Sequence, residues 1–355
     1  MPSPANDRIS AALVPAGRTA ATPMAFVRAI VAAYTRYGVS PAGALRQAQI
    51  APRRLREADG HVTAAQFEVL SAHAMQELDD EALGWFGRRL PWGSYGLLCR
   101  ASVTAPTLGV ALKRWCRQHR LLTDDVLLHF EADATAATLR IEERRALGEL
   151  REFCLVTLLR YLHGFACWAI DSRIALARVD FPFAPPPHAS VYPLLFPGPV
   201  RFNAATAGFR FDAQYLALPL VRDETATRAM LQRALPLTVL QYRRDRLLVQ
   251  QVRQALAAHP HQTRNANGLA ALLAMSPRTL HRQLREEGAS LQALKNEVRC
   301  ERAKALLYRS AKPVKQVAAA AGFRNEKSFI RAFRQWTGLS PGEFRAELGA
   351  RDGGS

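Results

Sequence analysis

Residues 269–285 read LAALLAMSPRTLHRQLR. The apolar run 269–275 is followed by Ser276 and Pro277, where a new helix is expected to start. The Ser276 side chain can accept a hydrogen bond from the N–H groups left unpaired at a helix N-terminus, and Pro277 is tolerated at the first helical position. Leu280 and Leu284 are four residues apart, so both face inward while the arginines and the histidine of this segment face outward. A short apolar helix that is expected to end at Met275, followed by a helix with a cationic face, predicts a helix-turn-helix unit.

The same pattern recurs further along the chain. Pro313 is expected to start a helix, Gly322 to make the turn, and Asn325 to cap a second helix in which Phe329 and Phe333 form the inward pair. The sequence therefore predicts two helix-turn-helix units.

A single helix, expected from about Ser290 to Arg309, joins these units. Twenty residues at about 1.5 Å each span roughly 30 Å, close to the roughly 34 Å between successive major grooves on one face of DNA. We therefore expect one chain to fill two adjacent grooves. Because the connecting helix is slightly short, we also expect modest bending of the DNA.

The charge distribution points to the same partner. The 355-residue chain exceeds one ordinary domain, and its 48 Lys and Arg against 30 Asp and Glu give a net charge of +18. Residues 237–355 hold 21 Lys or Arg and 9 Asp or Glu, a net charge of +12. A basic C-terminal module indicates a polyanion. The five cysteines form no CxxC pair, which argues against a disulfide framework and a zinc knuckle, and no export signal or membrane span is visible.

The N-terminal part is predicted to be α+β and to open with helices. Helical spacing begins at Phe26, Thr63 and Gln66 form a capping box, and Pro106 is expected at the start of another helix. Period-two alternation around 126–130 and 139–142 then predicts a hairpin.

Residues 152–170 are apolar on nearly every face, which predicts a buried helix packed across that sheet. The expected elements that follow are a strand over 175–181, a loop over the proline-rich 182–199, short strands near 200–202 and 209–211, and a helix over about 221–238 broken at Pro236.

A dense set of positions follows the order and spacing of one bacterial family. These positions are Leu269, Ala274, Met275, Ser276, Pro277, Arg278, Thr279, Leu280, His281, Arg282, Gln283, Leu284, Arg299, Ala303, Leu306, Leu307, Val317, Ala318, Gly322, Phe323, Ser328, Phe329, Phe333, Trp336, Thr337, Gly338, Ser340, Pro341, Phe344 and Arg345. The C-terminal part on this basis resembles the AraC/XylS family of transcription regulators. One departure is the run of four alanines from Ala318 to Ala321, where the family mixes larger residues, so we expect thin packing there.

A second group of residues lies in the N-terminal part: Leu83, Gly84, Gly93, Tyr95, Gly96, Thr107, Leu108, Ala111, Leu112, Val200, Arg201 and Phe202. With them this part resembles the arabinose-binding-type domain of regulators similar to the ornithine-utilisation group. The resemblance implies effector sensing and dimerisation.

We therefore predict a multidomain chain, with an α+β effector-binding and dimerisation domain followed by an all-α DNA-binding domain. The expected bounds are a disordered tail over 1–23, the effector domain over 24–220, a linker over 221–242, the double helix-turn-helix domain over 243–348, and a disordered tail over 349–355.

The resemblance assigns roles on the two recognition helices. Base-reading residues are expected to be Arg278, His281, Arg282, Glu326, Lys327, Ser328 and Arg331. Phosphate contacts are expected from Ser276, Thr279, Arg285, Arg324, Asn325 and Arg334. In the family the second unit often contacts backbone more than bases. The simpler alternative for Arg278, His281 and Arg282 is a solvated helix face.

Effector contacts are less specific in the sequence. Arg160 and His163 share one face of the apolar helix, where an anionic effector would partner the charge, although the simpler interpretation is a narrow solvent stripe. The aromatic candidates for an apolar pocket are Trp92, Tyr95, Phe165 and Trp168, with a core role as the alternative. Cys154 with His163 suggests a thiol nucleophile, but no group orients the histidine.

The predicted function is a cytoplasmic, homodimeric transcription regulator and activator that binds promoter DNA and a small-molecule effector and contacts RNA polymerase. No cofactor, metal or membrane partner is expected. The alternatives are an effector-independent DNA-architectural protein and an enzyme domain fused to a DNA-binding module.

Overall fold

The computed structural model describes residues 22–232, 234, 245–263, 265–310 and 312–352. Within them the chain forms two compact units, which adjoin in sequence between Asp245 and Arg246. The first unit is α+β and the second is helical, as the sequence predicts.

Helices dominate the start of the first unit. They are α1 (Met24–Arg36), α2 (Ala42–Gln47), α3 (Ala64–Glu77), α4 (Ser94–Val103) and α5 (Leu108–Leu122), with a 3-10 turn at Pro52–Arg56. The capping box ahead of α3 is confirmed, because Thr63 Oγ1 accepts from the Gln66 N–H at 3.1 Å while Gln66 Oε1 accepts from the Thr63 N–H at 3.1 Å. The helix start at Pro106 is wrong by two residues. α5 begins at Leu108, whose N–H donates to the Leu218 carbonyl at 2.9 Å, a tertiary contact that no local pattern reports.

A five-stranded sheet follows. Its strands are β3 (Val126–Ala132), β4 (Ala136–Glu143), β5 (Leu176–Asp180), β6 (Val200–Arg201) and β7 (Ala207–Asp212); the short β1 (Thr22–Pro23) and β2 (His61–Val62) pair separately. The order is β3-β4-β7-β5-β6, antiparallel except for the parallel β5–β6 pair. The predicted hairpin is confirmed by the register that pairs Leu128 with Ile141.

The core of this unit is built around α6 (Arg151–Ala169), which contacts β7 and α5. Sixteen of its 19 residues are buried, which confirms the prediction of a helix that is apolar on nearly every face. Phe165 and Trp168, at its C-terminal end, are among the fully buried side chains.

The stretch predicted as loop over 182–199 contains a 3-10 turn at Ala189–Val191 and a short helix, α7 (Tyr192–Leu195). The prediction failed because Pro193 occupies the first turn of α7, where proline removes no intrahelical hydrogen bond. A last helix, α8 (Glu224–Leu231), lies in the predicted linker, and the predicted break at Pro236 lies outside the described residues.

The second unit contains α9 (Leu247–Ala258), α10 (Ala266–Leu272), α11 (Pro277–Glu286), α12 (Leu291–Arg309), α13 (Val314–Ala320), α14 (Glu326–Thr337) and α15 (Pro341–Asp352). α15 extends into the segment predicted as a tail over 349–355, whose last three residues are outside the described ranges. Of the predicted tail 1–23, only Thr22 and Pro23 are described, and they form β1 rather than a disordered end.

Candidate nucleic-acid interface and effector cavity

The first helix-turn-helix unit consists of α10, a turn and α11. Ala274 adopts φ +52°, in the left-handed region, and its N–H donates to the Ala271 carbonyl at 3.1 Å. This turn ends α10 at Leu272, three residues before the predicted end at Met275. Ser276 Oγ then accepts from the Thr279 N–H at 3.1 Å, so the predicted cap of α11 is confirmed.

The second unit repeats this construction with α13 and α14. Gly322 adopts φ +83° and donates its N–H to the Ala319 carbonyl at 3.0 Å, in the same role as Ala274. Asn325 Oδ1 accepts from the Ser328 N–H at 2.8 Å, which confirms the second predicted cap. Pro313, the predicted helix start, occupies the N-cap position of α13, and the helix itself begins one residue later, at Val314.

Each recognition helix is anchored by an inward pair four residues apart. Leu280 and Leu284 of α11 are 0% and 1% exposed, and Phe329 and Phe333 of α14 are both 0% exposed. Because these four side chains fix the rotation of α11 and α14, the opposite face of each helix is turned to solvent.

The structure places all thirteen predicted DNA contacts on these turns and outer faces. Exposed side chains are Ser276, Arg278, His281, Arg282, Arg285, Arg324, Asn325, Lys327, Arg331 and Arg334, and partly exposed ones are Thr279, Glu326 and Ser328. The hydroxyls of Ser276 and Thr279 lie 2.8 Å apart at the start of α11.

Two of the arginines make ion pairs within the unit. Arg282 Nη1 lies 3.2 Å from Glu286 Oε1, and Arg334 Nη2 lies 3.5 Å from Glu343 Oε2. All four side chains are more than half exposed, and pairs of this kind contribute about 0–1 kcal/mol. Water or DNA can therefore replace the carboxylates at little cost.

The connecting helix α12 belongs to the cores of both units. Leu291 and Leu294, near its start, are buried in the cluster that holds Leu280 and Leu284. Ala303 and Leu307, nearer its end, are buried in the cluster that holds Phe329 and Phe333. With 19 residues at about 1.5 Å each, α12 is roughly 28 Å long. A continuous helix that is packed at both ends therefore fixes the spacing of the two units.

Sequence reasoning missed a cationic recess beside α12. A cavity of about 430 Å³ is lined by Lys295, Arg299 and Arg302, and by Arg324 from the second turn. The Arg299 guanidinium lies 5.4 Å from the centroid of the Phe323 ring. Burial, and secondarily the charge of Arg299, lowers the pKa of Lys295. The sequence did contain a signal for this recess, because Lys295, Arg299 and Arg302 are spaced i, i+4, i+7 and therefore share one face of the helix.

The alanine run borders the same recess. Ala318 and Ala321 are buried against the second core, whereas Ala319 is exposed, and Ala319, Ala320 and Ala321 all line the cavity. Thin packing along the whole run stays a prediction, because Ala318 and Ala321 are buried and the open space lies beside the recess.

The effector candidates separate into two groups. Trp92 and Tyr95 line a cavity of about 280 Å³ in the N-terminal unit, together with residues of α3, α4 and α8. Arg160, His163 and Trp168 are absent from that lining and lie in the core, each 1–2% exposed. Trp168 packs 6.1 Å from Phe165 and under the guanidinium of Arg222 at 5.6 Å.

The interpretation of Arg160 and His163 as a solvent stripe is wrong. Arg160 Nη1 lies 3.4 Å from His163 Nδ1 and its guanidinium lies 5.7 Å from the Phe196 ring centroid. Burial lowers the pKa of Arg160 to about 10. Burial and then the charge of Arg160 lower the pKa of His163 to about 3, so the imidazole is neutral. The pair is a buried polar network rather than a water-facing edge.

The thiol within hydrogen-bonding reach of this histidine is Cys167, not Cys154. Cys167 Sγ lies 3.5 Å from His163 Nε2, which is also 2.9 Å from the Ile174 carbonyl oxygen. Burial raises the pKa of Cys167 to about 12 and that of Cys154 well above its ordinary value. Since the thiolate is the nucleophile, neither buried cysteine supports covalent chemistry.

Within the described ranges, no three His, Cys, Asp or Glu side chains converge as a metal site. None of the helices that the structure describes combines the length and apolar sequence needed to cross a bilayer.

Both the N-terminal and the C-terminal part of the chain match models of known protein families. A family model described as the N-terminal arabinose-binding domain of AraC transcription regulators matches residues 38–220, just over half of the chain, and a helix-turn-helix domain model matches residues 269–347. The ornithine utilization regulator of Pseudomonas aeruginosa is 28% identical over 324 residues, covering 91% of this chain and 96% of that protein. The transcriptional regulator VqsM of the same species is 33% identical over 178 residues, 47% of this chain and 54% of its own.

Among solved structures, the transcriptional regulator CdpR from Pseudomonas aeruginosa is 20% identical, covers 86% of this chain and 96% of its own, and has a TM-score of 0.32. The matched domains and the relative that covers most of this chain are those of transcription regulators, so they indicate a regulator rather than an enzyme domain fused to a DNA-binding module.

Proposed function

Because the chain belongs to the AraC family of transcription regulators and binds DNA through its helix-turn-helix domain, we propose that one protomer reads two successive major grooves of promoter DNA. The observation that carries this proposal is the burial of α12 in both cores, with Leu291 in the first and Leu307 in the second. A spacing set by one helix lets both recognition helices engage a single face of the duplex.

The first recognition helix, α11, supplies the stronger base contacts. Arg278 and Arg282 can each donate two hydrogen bonds to O6 and N7 of guanine, and His281 lies on the same exposed face. The proposed backbone contacts are Ser276 and Thr279 at the start of α11 and Arg285 at its last turn.

The second recognition helix, α14, reads the next groove through Glu326, Lys327, Ser328 and Arg331. Arg324, Asn325 and Arg334 hold the adjacent phosphates. The roughly 28 Å length of α12 is shorter than the roughly 34 Å between successive grooves, so DNA bends to meet both helices.

The role of the N-terminal unit in this proposal is to regulate DNA binding and transcription. We infer that it binds a small molecule in the cavity lined by Trp92 and Tyr95, forms the homodimer, and thereby shifts the population of promoter complexes that contact RNA polymerase. The protein acts as an activator in the cytoplasm, where bacterial promoter DNA lies.

Footprinting of the full-length protein on its selected binding sequence tests the proposal. We expect protection of two adjacent major grooves on one face per protomer, with binding that weakens steeply as salt rises because phosphate contacts release counterions. Protection of one groove per protomer, or a flat salt dependence, would contradict it. A circular-permutation gel that reports straight DNA would remove the bending step.

A further inference from the structure

We propose that the cavity in the N-terminal unit takes a small organic cation with a primary ammonium group, and that Glu81 and the surrounding aromatic rings recognise it. This inference rests on the proposed effector role of the N-terminal unit. It goes further by naming the chemical class of the ligand.

The shape of the cavity suits a small metabolite. Its volume is about 280 Å³, just below the roughly 300–1,000 Å³ of sites for drug-sized ligands. Met75 of α3, Gly96 of α4 and Leu231 of α8 lie in its walls, so three helices meet around it.

Aromatic rings form another part of the lining. Tyr95 and Tyr161 both line the cavity, with ring centroids 5.1 Å apart, and Trp92 lines it while remaining 49% exposed. Aromatic faces attract cations through their quadrupole. A large exposed indole beside an open cavity is also a surface that a ligand can cover.

Among the described lining residues the carboxylates outnumber the cations, in a chain whose net charge is +18. Two carboxylates, Glu68 and Glu81, line the cavity, and the only lining cation among the described residues is Arg100. The Arg100 guanidinium is paired with Glu224, Nε to Oε1 at 3.3 Å. An anionic ligand would therefore face the Glu81 carboxylate, whereas a cation would meet it favourably.

Glu81 is held in place by backbone donors. Its Oε1 accepts from the Gly93 N–H at 2.8 Å and its Oε2 accepts from the Tyr95 N–H at 2.5 Å, which caps the start of α4. Each carboxylate oxygen has a second acceptor site, which an ammonium can fill. Burial raises the pKa of Glu81, which means that the surroundings do not fully compensate its charge.

The cavity also borders the element that leads toward the DNA-binding unit in sequence. Leu231 and Gln232, at the end of α8, are in the lining. A Cβ added to Gly96 of α4 would lie 3.3 Å from Leu231 Cδ1, so α4 and α8 approach closely beside the site. A ligand held by Glu81 at the start of α4 can therefore alter how α8 packs.

Ligand-induced thermal stabilisation and calorimetry of the full-length protein test this assignment. The probes are putrescine and L-lysine, and their matched controls are 1,4-butanediol and L-norleucine, which keep the carbon chain and lack the terminal ammonium. We expect stabilisation by at least one amine and none by its control.

Variants locate the site. Glu81→Gln and Tyr161→Leu should each weaken amine binding at least tenfold, whereas Glu131→Gln, which removes an exposed carboxylate 66% open to solvent, should leave it unchanged. Because Glu81 also caps α4, the unliganded melting temperature of each variant is measured first, and Tyr161→Leu keeps the test valid if Glu81→Gln unfolds.

Equal stabilisation by diol and diamine, no response to either amine at millimolar concentration, or equal losses in Glu131→Gln would overturn the cation site. The DNA affinity of the same preparations, measured without amine, separates failure of the ligand assignment from failure of the proposed DNA recognition. Retained two-groove binding with no amine response leaves the proposed DNA recognition intact and rejects only the ligand class.

Discussion

Alanine substitution of Arg282 and Arg331, singly and together, tests whether each recognition helix reads its own groove. Each single variant should lose about 1–3 kcal/mol of binding free energy on the preferred sequence, roughly 5- to 150-fold in Kd. The loss should be confined to the preferred sequence, since a base contact discriminates and a phosphate contact does not.

The structure bounds the other contributions. Arg282 must release Glu286, its partner at 3.2 Å, but both side chains are mostly exposed, so this exchange costs about 0.3–0.5 kcal/mol. Neither Arg282 nor Arg331 lies in a hydrophobic cluster, so alanine removes no core packing. Because α12 separates the two units, the effects should add to about 2–6 kcal/mol in the double variant.

The assay combines selection of binding sequences with competition fluorescence anisotropy. Arg282→Ala should relax the base preference in one half of the site and Arg331→Ala in the other half. Arg285→Ala is the matched control on α11: it should weaken all sequences alike and reduce the salt slope by about one. Relaxation of the same base pairs by both variants, or an unchanged selected sequence in both, would contradict base reading by two separate helices.

Three further outcomes are expected. Ala274→Gly should stabilise the C-terminal unit by about 0.5–1 kcal/mol in urea unfolding. Alanine in the left-handed conformation costs roughly 1–2 kcal/mol, and glycine removes this strain, but glycine also raises the entropy of the unfolded chain and so offsets part of the gain. A destabilised variant would contradict this. Asp80→Ala should lower the free energy of unfolding by at least about 3 kcal/mol. The buried Asp80 carboxylate accepts hydrogen bonds from the N–H groups of Ala82, Gly84 and Leu90 and from the Tyr37 hydroxyl, and all of these donors would lose their partner. The control Asp59→Ala, at an exposed position, should change the free energy of unfolding by less than about 0.5 kcal/mol. Burial lowers the pKa of His119 to about 4, so below pH 6.5 the unfolded chain takes up a proton that the folded chain does not. The free energy of unfolding should therefore fall by up to about 1.4 kcal/mol per pH unit between pH 6.5 and 4. An equally steep fall in His119→Leu would exclude this histidine as the cause.

The local parts of the DNA-binding unit could be predicted because their causes lie within a few residues. Ser276 and Asn325 cap the N–H groups of residues three positions on, and the inward pairs of α11 and α14 follow from helical spacing. The end of α10 was missed because the left-handed turn falls on Ala274, where the usual glycine signal is absent.

In the N-terminal unit the apolar residues on nearly every face of α6 were sufficient to predict its burial, but not the surroundings of its polar residues. Arg160 and His163 are paired with each other and enclosed by the chain around Ile174 and Phe196. Those partners are distant in sequence, so spacing alone could not separate a buried pair from a solvent stripe.

The amino-acid sequence by itself determined the two recognition helices, their caps, the helix between them and the cationic character of their outer faces, because propensity, capping and periodicity act over one or two helical turns. The tertiary structure alone decided the strand order β3-β4-β7-β5-β6, the insertion of α12 into both cores, and the meeting of Glu81, Tyr161 and Leu231 around one cavity. These features depend on contacts between residues far apart in the chain, which form only when the whole apolar surface is buried together.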